Sequence, residues 1–426
     1  MPGPTAAPGG LPGHPVLRRC ISVDPDDFAR QYWGRQPLFS RAEDLTAAWG
    51  EPSGFGDLLS LDDADELLSR RGLRTPFLRL AQDGRVLPST DFTGGGGAGA
   101  EISDQVLDER VLDLYARGAT LVLQGLHRLW PPLIDFAGRL AAELVVPVGV
   151  NAYLTPAGNR GFATHYDTHD VFVLQVAGRK RWRVHEPVVP DPLDRQQWGG
   201  HADEVEAVAK TPPVLDEVLA PGDALYLPRG WLHAAEALGE ESLHLTLALR
   251  ATNRFALVEA LLAMAVDEPA LREGFPLGLD VTDPDQLAPH LARTVEALRR
   301  WLAGDDVAAS AVADRHRQRE WRSTRPAPIR PLAQTAATTA LDADSVLAPR
   351  DGLRWRIVTV DPDRVALEMP DRTLTVPSYC EPAVRALLAG PQIRVGDLPD
   401  LDDADRLTLA RRLLREAVAV PADKVG

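Results

Sequence analysis

The sequence predicts a mostly β core with α additions: a jelly-roll barrel, then a helical segment, then a small α+β unit. Three observations carry this. Between residues 146 and 250 short apolar runs recur with turn residues between them, the texture of a barrel or double-sheet jelly roll. From Arg254 onward Phe255, Val258, Leu261 and Leu262 fall on one helical face, and residues 287–302 form another helix. Beyond residue 340 strand-like pieces (355–360, 364–369, 373–376) mix with helical ones (382–388, 403–418) in a winged-helix-like arrangement. At 426 residues the chain exceeds the usual size of one core.

These readings divide the chain. Residues 1–20 are expected to be a disordered tail, because the start is rich in Pro and Gly and lacks a signal's charged and apolar regions. The barrel domain spans 21–250, a helical segment that packs on itself or on a second subunit 251–325, a Pro-, Ala- and Thr-rich linker 326–340, and the winged-helix-like unit 341–426. Within the first domain a short helix begins at Pro25 and stops at Pro37. Residues 102–117 read as an amphipathic helix with Ile102, Val106, Val111, Leu112 and Tyr115 on its apolar face. A strand at 120–123 and a helix at 132–144 follow. The apolar run 171–176 ends at Ala177-Gly178, and 180–184 follows as the second strand of a hairpin would. Residues 243–249 alternate strictly, the period-2 signature of a half-buried strand.

Composition excludes several classes. A net charge of -15 opposes general nucleic-acid binding, which needs a positive field, though it would steer a basic protein or peptide favourably. Residues 341–426 carry 12 Lys/Arg against 15 Asp/Glu, so the DNA-binding role of many winged helices is disfavoured. Two cysteines, Cys20 and Cys380, make no disulfide framework and fit a reducing cytoplasm. No apolar run reaches the roughly 18 residues that span a bilayer. The Gly94 to Gly97 run lacks the spacing of a phosphate-binding loop.

Two His-x-Asp pairs occur, His165-Tyr166-Asp167 and His201-Ala202-Asp203, and their contexts differ. His201 leads into an acidic, unpatterned stretch and reads as a solvated loop. His165 precedes strong strand signals, and residues i and i+2 of an extended chain share a side about 6.5 Å apart. A third ligand is expected from His233, at the end of Pro221-Gly-Asp-Ala-Leu-Tyr-Leu-Pro-Arg-Gly-Trp-Leu-His233. Two imidazoles and one carboxylate without thiolate form a facial triad suited to Fe(II) or Mn(II), with zinc an alternative. In Lys180-Arg181-Trp182-Arg183-Val184 parity sends Lys180 inward with Trp182 and Val184, and both arginines outward. A buried ammonium needs a partner, and a dicarboxylate would be one. Asn151 and Tyr153 share a strand face and offer an amide and a phenol to the same pocket. Ser242, His244 and Thr246 are weaker candidates whose orientation the sequence leaves open.

The runs from His165 to Trp182 and from Pro221 to His233 resemble the JmjC-type ribosomal oxygenases, or cupin-4 family. The opening Phe28, Tyr32-Trp33 and Pro37-Leu38 are similar to that family's N-terminal signature. The resemblance covers residues 25 to 250 closely and the remainder loosely. It implies a double-stranded β-helix of cupin/JmjC type, a helical dimerisation segment and a terminal winged-helix fold. It implies that His165, Asp167 and His233 bind Fe(II). Lys180 would pair with the distal carboxylate of 2-oxoglutarate, with Tyr153 assisting and Asn151 nearby. The activity implied is a dioxygenase that uses O2 to hydroxylate a protein side chain, an arginine or histidine of a ribosomal protein. The alternatives are a hydroxylase of a small molecule or biosynthetic peptide, and a non-catalytic cupin binding module. A homodimer without direct nucleic-acid or membrane contact is expected.

Overall fold

Alternation organises the first unit. On strand Ser242–Leu249 the side chains of Leu243, Leu245, Leu247 and Leu249 are buried on one face, and Ser242, His244 and Thr246 point to the other. The strand pairs antiparallel with Val148–Thr155 on one side and Asp170–Ala177 on the other. These three sit within an eight-stranded antiparallel sheet. Its order is Leu38–Ser40, Ala224–Leu227, Asp170–Ala177, Ser242–Leu249, Val148–Thr155, Thr120–Leu123, Leu78–Gln82, Arg85–Val86. A second sheet runs Leu215–Leu219, Lys180–His185, Leu232–Ala237. This computed structural model describes residues 14–82, 84–159, 163–304 and 309–422, without the side chains of residues 318 and 322.

The leucine face joins a large core with Leu133, Phe136 and Leu140 of helix Pro131–Leu144. Between the two sheets lies a smaller apolar core: Val171 and Val173 from one, Trp182, Val184 and Leu219 from the other, with Leu225 and Leu227. Strand Asp170–Ala177 therefore has two buried faces, since Phe172 and Leu174 belong to the large core. That explains why its sequence is continuously apolar rather than alternating. The predicted jelly roll is present.

The expected hairpin is not. Asp170–Ala177 pairs with Ala224–Leu227 and Ser242–Leu249, whereas Lys180–His185 pairs with Leu215–Leu219 and Leu232–Ala237. The Gly178 turn carries the chain from one sheet to the other. Its φ is +63°, and a Cβ there would lie 1.9 Å from the Glu241 carbonyl oxygen, so only glycine fits. A second such turn, at Gly230 with φ +85°, links Ala224–Leu227 of the large sheet to Leu232–Ala237 of the small one.

Other expectations also change. Residues 14–20 of the expected tail are packed: Val16, Leu17 and Cys20 are buried, and the Glu143 carboxylate accepts the Val16 and Leu17 amides at 3.1 and 2.9 Å. Residues 1–13 lie outside those described. The helix expected at 102–117 is Asp108–Ala116, preceded by strand Gln105–Val106, and Leu112 is exposed. The acidic stretch after His201 is a helix, Ala202–Ala209, held by buried Val205.

The second unit, residues 252–426, begins with helices Arg254–Met264, Pro284–Leu302 and Ala309–Ser323. The expected linker 326–340 holds helix Pro331–Thr339. Gln334 is buried there, and its amide donates to the Leu414 and Ala419 carbonyls at 2.8 and 2.7 Å. Sidedness explains the error: Ala and Thr give no strong apolar signal, but two small faces suffice to seat a short helix. Two three-stranded sheets and helices Glu381–Ala389 and Asp403–Arg415 complete the α+β unit around its own core. Among the described residues no helix is long and apolar enough to cross a membrane.

Candidate metal centre and the buried lysine beside it

His165 and His233 are brought together by backbone pairing: each amide donates to the other's carbonyl, at 3.2 and 2.8 Å. The imidazole centroids are 4.5 Å apart. Asp167 is two residues beyond His165, and its carbonyl accepts the Gly230 amide at 2.9 Å, which ties it to the turn feeding His233. One ligand atom from each of the three lies within 4.8 Å of those of the other two. Among the described residues this is the one His/Cys/Asp/Glu group of that kind.

Tautomers follow from the partners. His165 Nδ1 is 2.7 Å from the Ala163 carbonyl, and His233 Nδ1 is 3.1 Å from the Trp231 carbonyl. A carbonyl oxygen only accepts, so both Nδ1 atoms carry the proton and Nε2 is the lone-pair nitrogen of each neutral ring. His233 Nε2 lies 3.9 Å from Asp167 Oδ2. Burial pushes the His233 imidazole down to about 4, with nearby His165 adding to the effect, so the ring is neutral at physiological pH. For Asp167 burial acts to raise the carboxyl, but His233, His169, His165 and Arg250 outweigh it and hold the group below the usual carboxylate range. Two imidazoles, that of His233 neutral, and an ionised carboxylate are the donor set of a facial triad.

Lys180 projects into the barrel as parity predicts, 2% exposed. Its Nζ donates to Thr155 Oγ1 at 2.9 Å and lies 3.5 Å from His244 Nδ1. No carboxylate among the described residues forms an ion pair with it. Burial pushes the ammonium down to about 7. Arg181 and Arg183 point outward and pair with Asp216 and Glu236. His244 stacks parallel on Tyr153 with centroids 4.9 Å apart and meets the edge of Trp182 at 5.4 Å. Trp182 in turn lies 5.9 Å from the His233 ring. The cation pocket and the three ligands are therefore one continuous site.

Tyr153 and His244 are register partners on adjacent strands, as are Thr155 and Ser242, and Asn151 and Thr246. Burial, and then the Asp167 charge, push the Tyr153 phenol up to about 12, so it is a donor at any working pH. Asn151 instead accepts the Gly125 amide at 3.0 Å through Oδ1, and interacts with Tyr153 through its side chain. It braces the pocket. Ser242 and His244 are buried in the pocket wall, and Thr246 is half-buried.

Sequence reasoning missed Thr155, the residue that holds Lys180. The signal was available: Thr155 follows Asn151 and Tyr153 at the same parity on Val148–Thr155. His201 stands outside the centre and pairs with Glu204 at 2.8 Å.

Residues 134–257 match the JmjC-domain family profile. Human ribosomal oxygenase 1 is 29% identical over 92% of this chain and 65% of its own length. A Drosophila willistoni protein, bifunctional lysine-specific demethylase and histidyl-hydroxylase NO66, is 29% identical over 60% of this chain and 32% of its own. The chain thus spans about one third to two thirds of these relatives. The crystal structure of Escherichia coli ribosomal oxygenase YcfD superposes with a TM-score of 0.55 at 19% identity, covering 94% of this chain and 99% of that one. A structure of the same E. coli protein holds cobalt and succinic acid, with a TM-score of 0.52 at 19% identity. With His165, Asp167 and His233 inside the matched segment, the chain carries a JmjC domain over residues 134–257 and has ribosomal oxygenase 1 and NO66 among its homologues.

Proposed function

We propose that this protein is an Fe(II)- and 2-oxoglutarate-dependent dioxygenase that hydroxylates a protein side chain, an arginine or histidine of a ribosomal protein. The observation that carries the reading is the pairing of a facial triad with a buried lysine that has no carboxylate partner among the described residues. A metal alone explains the triad, and a dicarboxylate bound beside it explains the lysine. The E. coli relative with cobalt and succinic acid, a dicarboxylate, supports that combination.

The chain's own groups have defined tasks. His165, Asp167 and His233 would hold the metal through two imidazoles and a carboxylate. When bound, Fe(II) with 2-oxoglutarate and O2 supplies the oxidising power to convert C–H to C–OH, with succinate and carbon dioxide as by-products. Lys180, held by Thr155, neutralises the distal carboxylate, and Tyr153 donates its phenolic proton to the same region. The apolar floor of Val171, Val173, Val184 and Leu225 keeps water from the pocket.

Relatives named for ribosomal proteins support the substrate class, and the chain's net charge of -15 favours a basic partner. A homodimer is proposed through helices Arg254–Met264 and Pro284–Leu302, where Leu257, Val258, Leu262, Leu291 and Val295 are exposed. A cytoplasmic location is proposed from the two free cysteines and the lack of a membrane-spanning helix among the described residues.

The test is succinate formation by iron-loaded protein given 2-oxoglutarate and oxygen, with mass spectrometry of ribosomal proteins for a gain of one oxygen. His165→Ala and His233→Ala are expected to abolish succinate formation, and His201→Ala to retain it. Equal loss in His201→Ala, or no turnover by the unaltered protein, would overturn the reading.

A further inference from the structure

The indole of Trp198 stands 6.3 Å from the His165 imidazole, centroid to centroid, and is 38% exposed. A tryptophan left open beside a metal ligand is unusual enough to ask what covers it. Gly199 and Gly200 follow it, and a Cβ on either would meet no atom within 4 Å.

The segment that carries the indole is fixed to the metal-binding strand by the residues between and after the ligands. His165 and Asp167 face the centre, while Tyr166 and Thr168 face away. Tyr166 is 1% exposed and donates its hydroxyl proton to the Gln196 carbonyl at 2.8 Å. Thr168 donates to Asp194 at 3.2 Å. Gln197 closes the turn on the Asp194 carbonyl at 2.6 Å, and Gln196 donates its amide to the Leu193 carbonyl at 2.7 Å. Trp198 is thus held in register with the ligands, a preformed wall rather than a loose loop.

The same segment is net negative. Residues 186–206 contain six carboxylates against one arginine. Asp194, Asp203 and Glu204 are exposed. An exposed indole inside a negative field takes a cation on its face, and the planar guanidinium suits it better than an ammonium.

We propose that Trp198 is a specificity-determining residue: the wall of the substrate entrance, which receives an arginine side chain of a peptide whose neighbouring residue reaches the metal centre. This deepens the hydroxylase reading above, and rests on it for what happens after binding.

The experiment measures binding first. A fluorescein-labelled peptide with a single arginine flanked by glycine, alanine and histidine is titrated with full-length protein carrying Mn(II) and 2-oxoglutarate, and read by anisotropy. The same peptide with citrulline in place of arginine keeps the shape and loses the charge. Citrulline is expected to weaken binding about tenfold, Trp198→Ala about tenfold, and Trp198→Phe by a smaller factor because a ring is retained. Rising salt is expected to weaken the arginine peptide and leave the citrulline peptide nearly unchanged.

Equal affinity for arginine and citrulline peptides overturns the proposal. So does undiminished binding by both Trp198 variants, or no binding of the arginine peptide to the unaltered protein. Succinate formation by the unaltered iron-loaded protein is scored separately. Its absence, with arginine-selective binding intact, would count against the hydroxylase reading and leave the recognition wall standing.

Discussion

Replacing Lys180 by methionine is expected to make the metal-free protein more stable while removing its response to 2-oxoglutarate. Burial drops the ammonium from 10.5 to about 7. At 1.36 kcal/mol per unit this corresponds to on the order of 5 kcal/mol of penalty for holding the charged form inside the barrel. Methionine is a similar unbranched chain and carries no charge, so it fills the space without that cost. Loss of the hydrogen bond to Thr155 and imperfect filling return part of the gain. The net expectation is about 3 kcal/mol in favour of Lys180→Met at pH 6.5, or about 6 to 12 °C in midpoint temperature for a unit of this size.

The pH dependence fixes the cause. Below about 7 the lysine is protonated whether the chain is folded or not, and the penalty is present in full. Between 7 and 10.5 the folded protein holds the neutral amine while the unfolded chain still binds a proton, so stability rises with pH. The gap between variant and parent should therefore narrow by about 1.4 kcal/mol per pH unit above 7, and be small by pH 9.5. Urea unfolding followed by tryptophan fluorescence at pH 6.5, 8 and 9.5 measures it, with and without 2-oxoglutarate. A variant no more stable than the parent at pH 6.5, or a gap that ignores pH, would show that Lys180 is not an unpaired buried cation. A variant that 2-oxoglutarate still stabilises would remove the lysine from the co-substrate pocket.

Gly178→Ala is expected to cost more than about 3 kcal/mol in urea unfolding, because both the Glu241 carbonyl 1.9 Å from the new Cβ and the φ of +63° oppose it; a loss below about 1 kcal/mol would mean the crossing between sheets is not rigid. Because burial pushes the His233 imidazole down to about 4, its ring-proton resonance in the metal-free protein should stay constant between pH 7 and pH 6 and move only as pH approaches 4. A His233 resonance that shifts through pH 6.5 would contradict the buried neutral ring.

The clustering of His165, Asp167 and His233 was legible because its rules are local. The His165-x-Asp167 spacing, the turn before His233 and the parity of Lys180 with Trp182 each concern a few consecutive residues, and strand geometry carries them into space without further information. Thr155 needed the same rule applied two residues further along a strand already in view. Pairing partners are different, since Asp170–Ala177 and Lys180–His185 are each good strands and nothing between them but Gly178 distinguishes a hairpin from a crossing. What decides it is the carbonyl of Glu241, far along the chain. Gln334 fails in the same way, because its two backbone acceptors lie 80 and 85 residues away.

The crossing that sequence reasoning misread is what makes the pocket two-sided. In a hairpin Lys180 would lie in the same sheet as Tyr153 and His244, with its side chain running alongside theirs. Because Gly178 passes the chain to the second sheet, Lys180 reaches back across the barrel to Thr155 on the first. Gly230 makes a second crossing and delivers His233 to the second sheet, from which it meets His165. Two glycine turns thus set the positions of the lysine and of the third metal ligand on one sheet, opposite the phenol and imidazole of the other. The separation of the Lys180 and His233 backbones is then fixed by strand Lys180–His185 and its neighbour Leu232–Ala237, in which Ala237 pairs with Lys180 and His233 with Val184. Four residues of strand at about 3.3 Å each separate those two rows. That span is a property of the backbone, so strand register sets the separation from which the Lys180 and His233 side chains start.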